Sequence, residues 1–108
     1  MNKLKMTAVS AALLLMSGVA AADDPNAAMS LAQKNACLSC HGVDKKIVGP
    51  AFKDVAKKYA GDKGAHARLA AKVKAGGKGV WGDIPMPPNP QVSAADLDKI
   101  VTWILSLK

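Results

Sequence analysis

The chain has 108 residues, of which half are hydrophobic but only 4% are Phe, Trp or Tyr, and its 15 Lys and Arg outnumber 8 acidic residues to give a net charge of +7. A chain of this length is too short for several domains, and its few bulky side chains exclude a large, purely apolar core. With two cysteines it forms at most one disulfide, which excludes a multiply cross-linked scaffold.

The first 22 residues have the pattern of a cleaved export signal. Lys3 and Lys5 precede the apolar run TAVSAALLLMSGVAAA, which ends in the small residues typical of a cleavage site. The run is shorter than the roughly 20 residues that a membrane-spanning helix needs, so an uncleaved anchor is the weaker alternative. We expect residues 1–22 to be a signal peptide and residues 23–108 to form one domain in the periplasm, without a membrane anchor.

The exported part is predicted to be all-α, because it shows no sustained alternation of apolar and polar residues. Asp24 and Pro25 are suited to begin a first helix that runs to about Ala36, and Met29 on this helix is expected to pack in the core. A second helix has apolar residues at helical spacing on one face: Phe52, Val55, Ala56 and Tyr59.

Two further helices complete the domain. The third is expected to turn Leu69 and Val73 inward and to end at Gly76. The fourth begins at Ser93, whose spacing to Asp96 resembles a capping box. Its broad apolar stripe consists of Leu97, Ile100, Val101, Ile104 and Leu105.

Between the third and fourth helices lies the segment KGVWGDIPMPPNP. Its four prolines within six residues fix the backbone and remove N–H donors, so we expect a stiff, extended loop. The loop carries Trp81 and Met86, and rigid loops of this kind tend to present functional side chains.

Both cysteines lie in the sequence CLSCH, formed by Cys37, Cys40 and the adjacent His41. C-x-x-C-H is the attachment signature of c-type haem, since two thiols on one turn can each bond a vinyl group of the porphyrin while the histidine binds the iron. A thioredoxin-like redox site would need neighbouring strands, and a zinc site would need His66 from a separate helix as a further ligand. A disulfide between Cys37 and Cys40 would close a very short loop and would be strained. The motif and the export signal together predict one covalent haem c.

The second axial position can be filled from two methionines and one further histidine. Met86 follows His41 by about 45 residues, which is enough chain to reach the far face of a porphyrin, and its rigid loop can hold a thioether at a metal. The alternatives are Met29 and His66, the latter expected to be a solvated residue of the third helix. We predict Met86 as the ligand. A His/Met pair raises the reduction potential relative to two histidines and leaves no vacant position, which favours electron transfer over catalysis.

Four segments, in this order, resemble the small bacterial class I cytochromes c of the cytochrome c-551/c-552 type: CLSCH, VGPAFKDVAKKYAG, GVWGDIPMPPN and WILSLK. The resemblance covers residues 23–108. It implies a four-helix fold wrapped around one covalently bound haem, and the function of a soluble periplasmic one-electron carrier. It also implies Cys37 and Cys40 as thioether anchors, with His41 and Met86 as axial iron ligands.

The same resemblance places four further residues around the haem. The carbonyl of Pro50 would accept a hydrogen bond from the proximal histidine and orient it. Trp81 would donate its indole N–H to a haem propionate. Asn89 would donate to the methionine sulfur or orient its loop, and Lys72 would be a basic group near a propionate.

The basic surface favours acidic partners. Without its leader the chain has 13 basic and 8 acidic residues, and an exported protein rarely meets nucleic acid, so acidic protein patches or an anionic membrane surface are better candidates. A surface kept only for solubility remains an alternative. The lysines expected beside the haem edge are Lys45, Lys46, Lys53 and Lys57. The resemblance implies redox partners such as a nitrite reductase, a terminal oxidase, a peroxidase or a bc-type complex.

The rival function is that of a haem peroxidase or a gas-binding module in which Met86 is a displaceable ligand. A peroxidase needs an acid–base group close to the open position. Near the methionine the sequence offers only Asp83, and it contains no Glu. The sequence therefore favours the electron carrier.

Overall fold

The computed structural model describes residues 24–108, and the predicted signal peptide, residues 1–22, lies outside the described residues. Within the described part the chain forms four α-helices and one short 3-10 turn, without a strand. The helices are α1 (Pro25–Lys34), α2 (Phe52–Lys58), α3 (Ala65–Ala75) and α4 (Ala94–Ser106), and the turn spans Cys37–Ser39. The predicted all-α class is confirmed. None of the helices in residues 24–108 is both long and apolar enough to cross a bilayer.

The domain is organised around α4, since α1, α2 and α3 all pack against it. At its start, Ser93 Oγ accepts the backbone N–H of Asp96 at 3.1 Å, which satisfies one of the donors that a helix N-terminus leaves free. The predicted beginning of this helix is therefore confirmed. Its buried side chains are Leu97, Ile100, Val101, Trp103 and Ile104.

Small residues of α1 face this core. Ala28 and Ala32 are buried one turn apart, and Asp24 caps the helix as predicted by accepting the N–H of Asn26 at 2.9 Å. Met29, which the sequence places in the core, is instead 39% exposed. The prediction is wrong because successive helical residues point about 100° apart, so the residue after Ala28 turns away from α4.

The end of α1 also differs from the expectation. The helix stops at Lys34 rather than near Ala36, because Ala36 has a left-handed backbone with φ of 62°. This conformation is unusual for a residue with a Cβ, and it breaks the helical direction just before Cys37. The turn that carries the two cysteines therefore leaves α1 at an angle.

The remaining helices follow the predicted pattern. Phe52, Val55 and Ala56 of α2 are buried. Leu69 and Val73 of α3 are partly buried against the same core. α3 ends at Gly76, which has φ of 75°, a value that favours glycine.

Candidate haem site

One apolar cleft collects the predicted ligands. Cys37, Cys40, His41 and Met86 all lie in its wall. The empty space inside, including the open mouth, is about 1550 Å³. Its mostly apolar lining and its open mouth suit a large planar cofactor. Apolar side chains of α2, α3 and α4 line the interior, among them Val55, Leu69, Val73, Ile100, Val101 and Ile104.

The two cysteines share one tight turn. The backbone N–H groups of Cys40 and His41 both donate to the Cys37 carbonyl, at 3.3 and 3.0 Å. Both cysteines are of intermediate exposure. The turn thus presents two thiols and an imidazole to the same cleft, which is the donor set that covalent haem attachment requires.

The surroundings of the Cys37 thiol shift its pKa. Burial raises its pKa, a backbone hydrogen bond opposes the increase, and the nearby Cys40 sulfur adds to it. Before its sulfur is bonded, Cys37 therefore stays protonated to higher pH than an exposed cysteine.

The loop after the motif folds back and orients the histidine. The Cys40 carbonyl accepts the N–H groups of Val48 and Gly49, at 3.0 and 2.7 Å. This return brings the Pro50 carbonyl to 2.8 Å from His41 Nδ1. With Nδ1 as the donor of this bond, Nε2 is left with its lone pair for a metal ion.

Two contacts of the imidazole were not evident from the sequence. The His41 ring stacks on Phe52, with centroids 5.0 Å apart, and Phe52 in turn meets the edge of Trp103 at 5.7 Å. In addition, a Cβ at Gly49 would lie 2.6 Å from His41 Cε1. The only hint in the sequence was the Gly-Pro pair a few residues after the histidine.

The methionine is held by the end of α3. Met86 N–H donates to the Gly77 carbonyl at 2.8 Å, and Gly77 N–H donates to the Met86 carbonyl at 3.1 Å. A Cβ at Gly76 would lie 2.6 Å from the Met86 carbonyl oxygen. The close approach of the two backbones therefore requires a glycine at this position.

Asn89 contacts backbone carbonyls. Its Nδ2 lies 3.0 Å from the Pro87 carbonyl and 3.4 Å from that of Val73, and its own N–H donates to Val73 at 2.9 Å. These contacts fit a residue that orients the loop. A bond from Asn89 to the Met86 sulfur stays a prediction.

Trp81 and Lys72 both line the cleft, as expected for residues near a haem edge. Trp81 is 40% exposed, and the ammonium of Lys58 lies 5.6 Å from the centre of its ring. Lys72 is half-buried, and its Cε lies 3.3 Å from where a Cβ at Gly77 would be. Their contacts with a haem propionate stay predictions.

The alternative ligands lie elsewhere. In the described part of the chain neither Met29 nor His66 lines the cleft. His66 is half-buried rather than solvated, with Nε2 3.0 Å from Asp98 Oδ1 and 3.1 Å from Thr102 Oγ1 on α4. Nowhere in residues 24–108 do three or more His, Cys, Asp or Glu side chains converge on a common metal position, which gives the zinc alternative no support.

Lys46, one of the four lysines expected beside the haem edge, lines the cleft together with Lys72 and Lys78, whereas Lys45, Lys53 and Lys57 do not. Lys53, by contrast, forms an ion pair with Asp44 at 2.5 Å, which reduces its attraction for an acidic partner.

The sequence profile of the cytochrome c family matches residues 27–108. The chain belongs to the cytochrome c family. It is 62% identical to cytochrome c-551 of Allochromatium vinosum over 77 residues, which cover 71% of this chain and 82% of the relative. It is 52% identical to cytochrome c-552 of Nitrosomonas europaea over 98 residues, which cover 91% of this chain and 90% of the relative.

Comparison with solved structures supports the same family. The crystal structure of wild-type Nitrosomonas europaea cytochrome c552 superposes with a TM-score of 0.72 at 55% identity, covering 74% of this chain and 99% of that one. The chain is thus a small class I c-type cytochrome with the predicted four-helix fold, an electron-transfer protein rather than an enzyme. Its cofactor is covalently bound haem c with iron, and the thiols, imidazole and thioether around the cleft fit that group.

Proposed function

We propose that this cytochrome is a soluble periplasmic electron carrier in which Cys37 and Cys40 hold the haem and His41 and Met86 ligate its iron. The main support is that Met86, which is distant in sequence, lines the same apolar cleft as the three residues of the C-x-x-C-H motif. The haem supplies an iron that alternates between Fe(III) and Fe(II) by gaining and losing one electron.

The protein's part is to hold both ligands still and to keep water away. His41 is fixed by the Pro50 carbonyl and by the Phe52 ring, while Met86 is fixed by its paired bonds with Gly77. Buried apolar side chains fill the floor of the cleft. A site built in this way changes little between the two valences, which suits rapid electron exchange.

We assign secondary roles to residues at the rim. Trp81 donates its indole N–H to a propionate and Lys72 supplies a positive charge there, because both side chains line the cleft. Asn89 keeps the methionine loop in place through its bonds to backbone carbonyls.

Carbon monoxide tests the function against the rival peroxidase or gas-binding protein. The reduced protein at neutral pH should show no change in its Soret band with this gas, because His41 and Met86 would leave the iron no free ligand position. Met86→Ala is the positive control and should bind the gas. Rapid binding by the unmodified protein would contradict the proposed carrier and favour a displaceable methionine.

The partners we propose are redox proteins with acidic docking patches, such as a nitrite reductase, a terminal oxidase, a peroxidase or a bc-type complex. Lys46 and Lys78 at the cleft can steer such proteins by long-range attraction. The second-order rate of electron transfer should then fall as salt rises. An unchanged rate would remove the acidic partner but leave the haem ligands in place.

Export is the remaining part of the proposal. The sequence of the leader predicts cleavage after Ala22. The intact mass of the holoprotein purified from periplasm should correspond to residues 23–108 plus one haem. A mass that retains the leader would contradict the cleaved signal.

A further inference from the structure

The segment after Met86 is unusually short of hydrogen-bond donors. It contains Pro87, Pro88 and Pro90, none of which has a backbone N–H, so Asn89 supplies the only one between residues 87 and 90. Its carbonyl oxygens still need partners where they are shielded from water. Apart from Asn89 Nδ2, which lies 3.0 Å from the Pro87 carbonyl, such donors must come from another part of the chain.

Two consecutive residues of α3 form hydrogen bonds with this segment, one as an acceptor and the other as a donor. The carbonyl of Val73 accepts from the N–H of Asn89. The ammonium of the next residue, Lys74, donates to the carbonyl of Val92 and lies 3.5 Å from that of Pro90. Lys74 is half-buried between the loop and α4, where Leu97 borders the same groove.

The chain between these contacts and the methionine is stiff. Three prolines restrict φ between Met86 and Val92, so a displacement at Pro90 moves the whole segment rather than being absorbed locally. At the other end, the paired bonds with Gly77 and the close contact with Gly76 leave Met86 little room. The methionine segment is thus a rigid strap fixed at two places.

We propose that Lys74 is a positioning residue for Met86: its ammonium fixes the far end of the strap to α3 and so keeps the thioether in place. The inference rests on the proposed function, in which Met86 is an iron ligand. Lys74 acts through the strap. A charged donor to a carbonyl is stronger than a neutral one, and its removal leaves acceptors without a partner.

The test compares Lys74→Met, which keeps the side-chain bulk but removes the donor, with Lys74→Arg, which keeps a charged donor. Lys63→Met is the control, since Lys63 is exposed. For each ferric holoprotein, the near-infrared sulfur-to-iron band and the helical circular dichroism are followed with temperature. The rate of cyanide binding is measured at one pH.

In Lys74→Met the sulfur-to-iron band should disappear at a lower temperature than the helical signal, and cyanide should bind about tenfold faster. Lys74→Arg should move both readouts towards the unmodified protein, and Lys63→Met should change neither. A merely structural lysine would shift the band and the helical signal together without changing the cyanide rate. That result would overturn the proposal.

Lys74→Gln covers the case in which Lys74→Met does not fold, because it retains a shorter, neutral donor. It should bind cyanide at an intermediate rate, and an unchanged rate would again overturn the proposal. Failure of the underlying ligand assignment gives a different result. The band would then survive Met86→Ala, whatever the Lys74 variants do, and both proposals would be wrong.

Discussion

The rings of His41 and Phe52 are stacked, with centroids 5.0 Å apart and planes inclined by 19°. Phe52 is the first residue of α2, and its ring packs nearly perpendicular to that of Trp103 of α4. The direction of the histidine is therefore tied to the packing of two helices. A perturbation of the contacts of this imidazole should change both the free energy of unfolding and the electronic properties of the haem.

Gly49→Ala tests the contact between the His41 ring and the loop that follows the motif. The added methyl would lie 2.6 Å from His41 Cε1, so the ring or the loop must move, and we expect the free energy of unfolding to fall by about 1–3 kcal/mol. Denaturant unfolding of the holoprotein measures this loss, and a redox titration should show a shifted potential because the bond to Pro50 is distorted.

Gly64→Ala is the matched control for that change. A Cβ at Gly64 meets chiefly the mobile end of the Arg68 side chain, so both quantities should stay close to those of the unmodified protein. If the two substitutions had equal effects on the free energy of unfolding and on the reduction potential, the contact of Gly49 with His41 would not be the cause, and the prediction would be wrong.

Ala36→Gly should stabilise the protein. The left-handed conformation of Ala36 costs an L-residue about 1–2 kcal/mol, and a glycine avoids this cost. The greater conformational freedom of glycine in the unfolded chain opposes this gain by about 0.4–1 kcal/mol. We expect a net gain of about 0.5–1 kcal/mol in the free energy of unfolding. Loss of stability in the same measurement would mean that the Ala36 methyl makes favourable contacts that outweigh its strain.

Lys58→Met should remove the cation–π contact with Trp81 and so lower the stability of the protein. The ammonium lies 5.6 Å from the indole centre, and contacts of this type at exposed sites contribute about 0.5–1 kcal/mol. Thermal or denaturant unfolding should show a loss of this size, which Lys58→Arg should largely avoid. Lys57→Met, one residue earlier on α2, is the control, and an equal loss there would contradict the contact.

Local patterns predicted the helices well. The apolar stripe of α4 and the caps at Asp24 and Ser93 depend on neighbours within a few residues, so the sequence alone located them. The C-x-x-C-H spacing likewise carries its chemistry in five consecutive residues. A motif of this kind needs no tertiary information.

Features that depend on tertiary contacts could not be predicted from the sequence. The outward direction of Met29 depends on which face of α1 packs against α4. The early end of α1 depends on the left-handed backbone of Ala36, and alanine is not a residue type that predicts this conformation. The contact of Lys74 with Val92 joins residues 18 positions apart, and solvation is the default expectation for a helical lysine. Such pairs become visible only when the fold places them together.

The pairing of His41 with Met86 is tested most directly by the near-infrared absorption of the ferric holoprotein, recorded together with a redox titration. The unmodified protein should show the weak sulfur-to-iron band. Met86→Ala should keep its covalent haem, lose this band and have a lower potential, because a thioether favours Fe(II). Met29→Ala, the matched control, should keep both the band and the potential. Persistence of the band in Met86→Ala, or its loss in Met29→Ala, would contradict the assignment.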